Sequence, residues 1–305
     1  MSGRNNDERT NAREHPDATA AVQEAATQST PQPAGQLNFV VPTEFVELPS
    51  SGAYYTEGHP LCGIDTLEIK YMTAKDEDIL TSRALLKKGV AINRFLQNII
   101  VDKRVKVEDL LTGDKNAILV AARISGYGAE YKTKTQCPAC STTQEYEFTL
   151  ENGVSTGFDT DSFDPEEHQN RVTKNEDLTF DISLPKSEVV ITVRMLNGYD
   201  EAQMAKSLQA SQKGSKNIRK DLLGHDTQMT DQMRAYIVAV NGSSLMQHVH
   251  GFVNVMPASD SRFLRSAYAA LMPNYDLRQH FACEACGYEQ DMEVPFTADF
   301  FWPKS

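Results

Sequence analysis

The sequence predicts an α+β protein built from two similar halves, each running strand, helices, β-hairpin. Three observations carry this. Short alternating runs such as Thr66-Leu67-Glu68-Ile69-Lys70-Tyr71-Met72 interleave with stretches of helical length. Two CxxC turns, Cys137-Pro138-Ala139-Cys140 and Cys283-Glu284-Ala285-Cys286, each lie between runs that read as strands. An ungapped match leads into both turns: Asp114 precedes Cys137 by 23 residues, and Asp260 precedes Cys283 by 23. Within it Ile118 stands against Leu264, Ala121 against Ala267, Glu130 against Asp276 and Lys132 against Arg278, a pattern that points to internal duplication.

Composition bounds the rest. The chain has 305 residues, 40% of them hydrophobic, and a formal net charge of −12. That length can bury a sizeable core. The negative charge argues against general binding to nucleic acid or to an anionic membrane, since both need a basic face. No apolar run approaches the ~18 residues of a membrane span. No secretory h-region is visible, so a soluble protein of a reducing compartment is expected.

Residues 1–36 are polar and nearly free of aromatics, so the composition predicts an arm that is disordered in isolation. The first half, 37–150, opens with Phe45-Val46-Glu47-Leu48 as a strand, ended by the turn cluster Pro49-Ser50-Ser51-Gly52. After the strand at 66–72, Thr73 reads as an N-cap with Asp76 three residues on. Helices are expected near 75–82, 90–101 and 114–125, the last capped by Asp114. The strands around the first CxxC run from about Ala129 to Gln136 and from Gln144 to Phe148.

Residues 151–177 are acidic, with Asp159, Asp161, Asp164, Glu166 and Glu167, and read as a solvated linker. An EF-hand is excluded by the missing glycine and terminal glutamate of that loop. The second half, 178–305, repeats the order. Strands at 178–184 and 189–195 lead to a helix at about 198–210 capped by Asn197. Lys213, Lys216, Arg219 and Lys220 form a basic loop, either plain surface or a partner-binding site. Helices near 226–240 and 259–271 follow, the latter capped by Ser259 or Asp260. The second hairpin spans Asp276 to Ala282 and Tyr288 to Val294, and Phe300-Phe301-Trp302-Pro303 reads as a docked tail.

Two CxxC turns bring four thiols that suit one tetrahedral zinc: each tight loop aims two sulfurs at the same point. Cys137, Cys140, Cys283 and Cys286 are therefore the candidate ligands of a structural four-cysteine site. A redox-active CxxC lacks its helix here, and disulfides need an oxidising compartment. Because each half supplies only two ligands, the metal would join the halves as one composite zinc ribbon. The runner-up shares each CxxC across a dimer. Cys62 is left over as a free, partly buried thiol.

No catalytic pattern appears: there is no HExxH, Walker A loop, GxGxxG or GxSxG. His248-Val249-His250 would place two imidazoles on one face of a strand, without a third ligand at matching spacing. His280 reads as lying beside the metal or facing solvent.

The stretch Phe45-Val46-Glu47-Leu48-Pro49-Ser50-Ser51-Gly52 with Tyr54-Tyr55 has a further meaning. Together with the helix start Thr73 to Asp78 and the Cys-rich ribbon before Phe300-Phe301-Trp302-Pro303, it resembles baseplate hub proteins of T4-type contractile-tailed bacteriophages. The resemblance spans roughly 38 to 302. It implies a non-enzymatic virion or tail-assembly component at the baseplate hub, made in the host cytoplasm. Its partners would be other hub, wedge or tail proteins, with neither membrane nor nucleic acid expected. It supplies no catalytic residue. The alternative is a zinc-ribbon nucleic-acid-binding or transcription-type factor, which needs a basic ribbon face. Lys132, Lys134 and Arg278 offer little of one against Glu145, Glu147, Glu284, Glu289, Asp291 and Glu293.

Overall fold

A computed structural model describes residues 40–156, 171–204, 206, 228–295 and 298–301. The chain divides into two units, Met1–Val40 and Val41–Ser305, and the elements below belong to the second. The expected N-terminal arm lies outside the described residues, and so does the basic loop of Lys213, Lys216, Arg219 and Lys220.

The architecture mixes helices with small antiparallel sheets, as an α+β chain should. Strand β1 (Thr43–Glu47) pairs with β2 (Thr66–Lys70), Val46 opposite Leu67. Alternation puts Val46, Leu67 and Ile69 inward and leaves Phe45 exposed. The connection closes on Gly52, whose φ of +70° suits glycine. Any Cβ there would strike the backbone of Leu61 and Ile64.

Helix α1 (Ala74–Thr81) starts at Thr73, as the sequence indicates. Asp76 Oδ2 accepts from the Thr73 N–H (2.9 Å) and hydroxyl (2.6 Å), which satisfies the helix entry. A six-residue helix, α2 (Arg83–Lys88), was not expected; it ends at Gly89 in the left-handed region. Helix α3 (Ala91–Ile99) buries Phe95, Leu96 and Ile99. It stops short of the expected residue 101, because Ile100 turns extended to bridge Ile69 of β2. Helix α4 (Thr112–Tyr127) then leads to the hairpin β3 (Glu130–Gln136) and β4 (Thr143–Thr149).

Of the expected acidic linker, residues 157–170 lie outside the described residues. At its ends, β5 (Val154–Thr156) pairs with β10 (Asn274–Asp276), and β6 (Val172–Lys174) starts a four-stranded sheet. That sheet continues through β7 (Phe180–Ser183), β8 (Val190–Val193) and β9 (Ile237–Val240). Helix α5 starts at 198 and is described through 204; Asn197 Oδ1 caps it, accepting from the N–H groups of Tyr199 and Asp200. The helix expected over 226–240 divides: α6 (Gln228–Tyr236) is helical, but the β-branched Ile237-Val238-Ala239-Val240 joins the sheet beside β8.

Helix α7 (Met246–Val255) holds His248 and His250, so they lie on a helix and not on a strand. Two positions apart on a helix they face different ways, which removes the metal-pair reading. His248 Nδ1 instead meets Ser243 Oγ at 2.8 Å. Helix α8 (Ala258–Leu271) precedes β10, β11 (Arg278–Ala282) and β12 (Glu289–Glu293). One core of fully buried side chains, including Ile69, Phe95, Ile118, Phe148, Phe180, Ile191 and Leu264, runs through both sequence halves. Each such side chain contributes about 1.5–3 kcal/mol of burial free energy. Of the expected docked tail, Phe300 and Phe301 pack on it ring to ring with Tyr131 and Phe95, while Trp302 and Pro303 lie outside the described residues.

Candidate metal centre

Each knuckle is shaped by its own backbone. In the first, Cys137 N–H donates to the Thr142 carbonyl (2.9 Å) and Ser141 N–H to the Cys137 carbonyl (2.9 Å). In the second, Cys283 N–H donates to the Tyr288 carbonyl (2.8 Å) and Gly287 N–H to the Cys283 carbonyl (2.9 Å). Both turns close through a left-handed residue, Ser141 at φ 59° and Gly287 at φ 69°. The tight loop throws both sulfurs of each CxxC to the same side.

Side chains of β4 and β11 then bind the two hairpins together. Gln144 donates to the Ala282 carbonyl (3.0 Å) and accepts from Glu284 N–H (3.0 Å). Tyr146 Oη donates to the His280 carbonyl (2.9 Å). Gln279 exchanges two hydrogen bonds with the Thr149 backbone (3.0 and 2.9 Å). Phe281 packs under the joint against Tyr146, with Cys137 and Cys283 buried in the same small apolar cluster.

The four sulfurs of Cys137, Cys140, Cys283 and Cys286 all lie within 4.8 Å of one another. Two short contacts run between hairpins: Cys137 to Cys286 at 3.7 Å and Cys140 to Cys283 at 3.7 Å. All four cysteines are free thiols, so no disulfide competes for them. A tetrahedron with Zn–S bonds of ~2.3 Å has sulfur–sulfur edges of about 3.8 Å. The donor set and its spacing therefore fit a metal ion held by four cysteines.

Electrostatics point the same way. Hydrogen bonds from the side chain and backbone of Thr142 lower the Cys140 thiol to about 6. The Tyr288 N–H favours the Cys286 thiolate, but the neighbouring sulfurs and burial outweigh it and push that thiol up to about 12. Four sulfurs this close cannot all ionise without a cation among them, and a divalent metal supplies one. Cys140 and Cys286 reach solvent, whereas Cys137 and Cys283 are buried. His280 stays outside the set, 60% exposed at the side chain and near Glu289 and Asp291. Cys62 is exposed rather than partly buried, because it sits on a turn between Leu61 and Gly63.

The profile of the T4 bacteriophage base plate protein family matches residues 41–302. The chain belongs to that family. No curated protein and no solved structure matches it. In this family member, among the described residues, no helix is long and apolar enough to cross a membrane.

A second polar cluster, invisible in the sequence, lies around Asp114. Asp114 is fully buried and is not the cap of α4, whose N-cap is Leu111. Its carboxylate accepts from Ser50 N–H (2.9 Å), Ser50 Oγ (2.6 Å) and Tyr55 Oη (2.7 Å). Asp260 behaves alike: Pro257 is the N-cap of α8, and the Asp260 carboxylate accepts from the N–H groups of Lys186 and Ser187, both at 2.8 Å. Every Asp114 bond goes to the 48–55 loop, so the cluster is a tie between segments. Ser50 is held as a donor and is not poised as a nucleophile. A first-turn acid 23 residues ahead of each CxxC was the available signal, but it reads equally as a cap.

Proposed function

We propose that this base plate protein is a non-enzymatic structural or assembly component of the baseplate hub, stapled by one structural zinc. Four sulfurs from two hairpins far apart in sequence converge at tetrahedral spacing, and that observation carries the reading. Zinc bound there cancels thiolate charge and crosslinks the hairpins; four thiolates leave it no open position for chemistry. Function then rests on surfaces that the joint holds in place. Other hub, wedge or tail proteins are the proposed partners, in the virion tail and in the host cytoplasm during assembly.

We read the chain further as a duplicated unit, with repeats at 37–150 and 178–305 joined by this composite ribbon. Several paired features support it. The hairpin registers correspond, Gln136 opposite Thr143 in one and Ala282 opposite Glu289 in the other. The two short sulfur contacts exchange under a twofold rotation that swaps the knuckles. Asp114 and Asp260 each tie a helix start to a Leu-Pro turn, at Leu48-Pro49 and Leu184-Pro185. The loop of Lys213, Lys216, Arg219 and Lys220 remains a proposed partner site. The acidic face of β12 (Glu289, Asp291, Glu293) disfavours the nucleic-acid alternative.

Co-expression with hub and wedge proteins tests the assembly role. The chain should enter or promote a hub complex, and Cys283→Ser should fail to. A chain that neither joins nor assists any hub or wedge protein contradicts the proposal.

A further inference from the structure

The charge of this acidic chain is unevenly placed. From Ile79 to Val101 there is no Asp or Glu, while Arg83, Lys87, Lys88 and Arg94 are all exposed. Helix α2 lies within this stretch and buries none of its residues. Beside its cations it exposes apolar side chains: Leu86 is 49% exposed, Val90 36% and Ile92 43%. A helix about 9 Å long has little stability of its own, and one lying bare with Leu86 outward invites a cover. Of the acids of α1, Asp76 is engaged with Thr73 and Asn98 and Glu77 with Tyr127, while Asp78 is exposed at the border of the stretch. Among the described residues no ion pair reaches Arg83, Lys87, Lys88 or Arg94.

The complementary surface is on the second knuckle hairpin. Its one Lys or Arg is Arg278, opposite Glu293 and paired with Asp276; from Gln279 to Pro295 there is none, while Glu284, Glu289, Asp291 and Glu293 are exposed. Exposed Tyr288 adds an aromatic face among them. The first hairpin is more balanced: its outer face sets Lys132 opposite Glu147 and Lys134 opposite Glu145, where the second sets Arg278 opposite Glu293 but only His280 opposite Asp291. Two hairpins of the same register thus differ in charge, and only the second is an anionic surface with an aromatic anchor.

We infer that α2 and its flanks form a self-association surface whose occupant is the acidic second hairpin of another copy of this chain. Arg83, Lys87, Lys88 and Arg94 meet Glu284, Glu289, Asp291 and Glu293, and Leu86, Val90 and Ile92 receive Tyr288. The two patches differ, so repeated in one direction the contact is head-to-tail and builds rings or chains, and made reciprocally by two copies it closes a twofold dimer. It does not depend on the metal reading: the hairpin charges are present whatever the cysteines hold. The patch is small beside the ~800 Å² per partner of a stable interface, so isolated copies associate weakly.

Sedimentation equilibrium of the full chain tests it, up to ~1 mM chain. Association should rise with concentration and fall between ~0.1 and ~1 M salt, as the screening length drops from ~10 to ~3 Å. Lys87→Glu with Lys88→Glu should weaken it roughly tenfold or more, and Glu289→Lys with Asp291→Lys equally. Mixing the two variants should restore it, because each reversed patch then meets a reversed partner. If the hairpin variant does not fold, Glu284→Lys with Glu293→Lys replaces it. A chain that stays monomeric throughout, variants that associate like the parent, or a mixture no stronger than its parts would overturn the inference.

Discussion

Asp114 and Asp260 do the same mechanical job with opposite electrostatics. Each ties the first turn of a helix to a distant Leu-Pro turn. Burial pushes the Asp114 carboxyl up, and its Ser50 and Tyr55 donors only partly offset this. Burial pushes Asp260 the same way, but hydrogen bonds from Ser187 and Lys186 outweigh it and hold the carboxyl below the usual range. Asp260→Ala leaves two amides without an acceptor and should cost about 2–3 kcal/mol in urea denaturation. The pH dependence separates the pair. The Asp260 contribution is complete above the unfolded carboxyl value of ~3.9 and is lost as pH falls through its lower folded value. Asp114 takes up its proton at higher pH folded than unfolded, so its contribution grows as pH falls toward ~3.9. Asp260→Asn should therefore flatten the acid loss of stability and Asp114→Asn should steepen it, read from urea midpoints across about pH 3 to 7.

At the scale of elements, a buried arginine fixes the C-terminal turn. Arg123 of α4 donates to the carbonyls of Phe300 (2.6 Å), Gly128 (2.6 Å) and Glu130 (3.0 Å). Arg123→Met removes all three donors and should cost about 3 kcal/mol, with residues 298–301 losing hydrogen-exchange protection first. Arg123→Lys should recover little, since an ammonium cannot span three carbonyls as the planar fork does. The hairpins were legible in the sequence because alternation and a CxxC turn mark the same place. Capping marked the start of α1 through Thr73 and Asp76. Other elements were not legible, for physical reasons. Ile237 to Val240 continues the apolar pattern of a helix, and only the neighbouring β8 makes it a strand. Helix α2 has no buried face to give it a period. Asp114 reads as a cap because its partner Ser50 lies 64 residues away.

Across the whole molecule, the convergence of four thiols was the most legible part of the site, since two CxxC turns admit few other uses. The side chains that align the hairpins, Gln144, Tyr146 and Gln279, were invisible because each acts on backbone of the other hairpin. If the metal is the joint, chelation acts there first. Binding to zinc-finger peptides is worth roughly 10–16 kcal/mol in apparent free energy, so removal should loosen the contact between hairpins well before the main core opens. Hydrogen exchange after chelation should show early loss at 130–149 and 278–293, with α3 and α4 still protected.

The most direct measurement is X-ray absorption at the zinc edge on purified full-length protein, with metal content determined on the same sample. One zinc per chain with four sulfur neighbours at ~2.3 Å is expected, with loss of the metal in both Cys137→Ser and Cys283→Ser. A folded, metal-free chain whose hairpins stay together, or a zinc site that survives both substitutions, would contradict it.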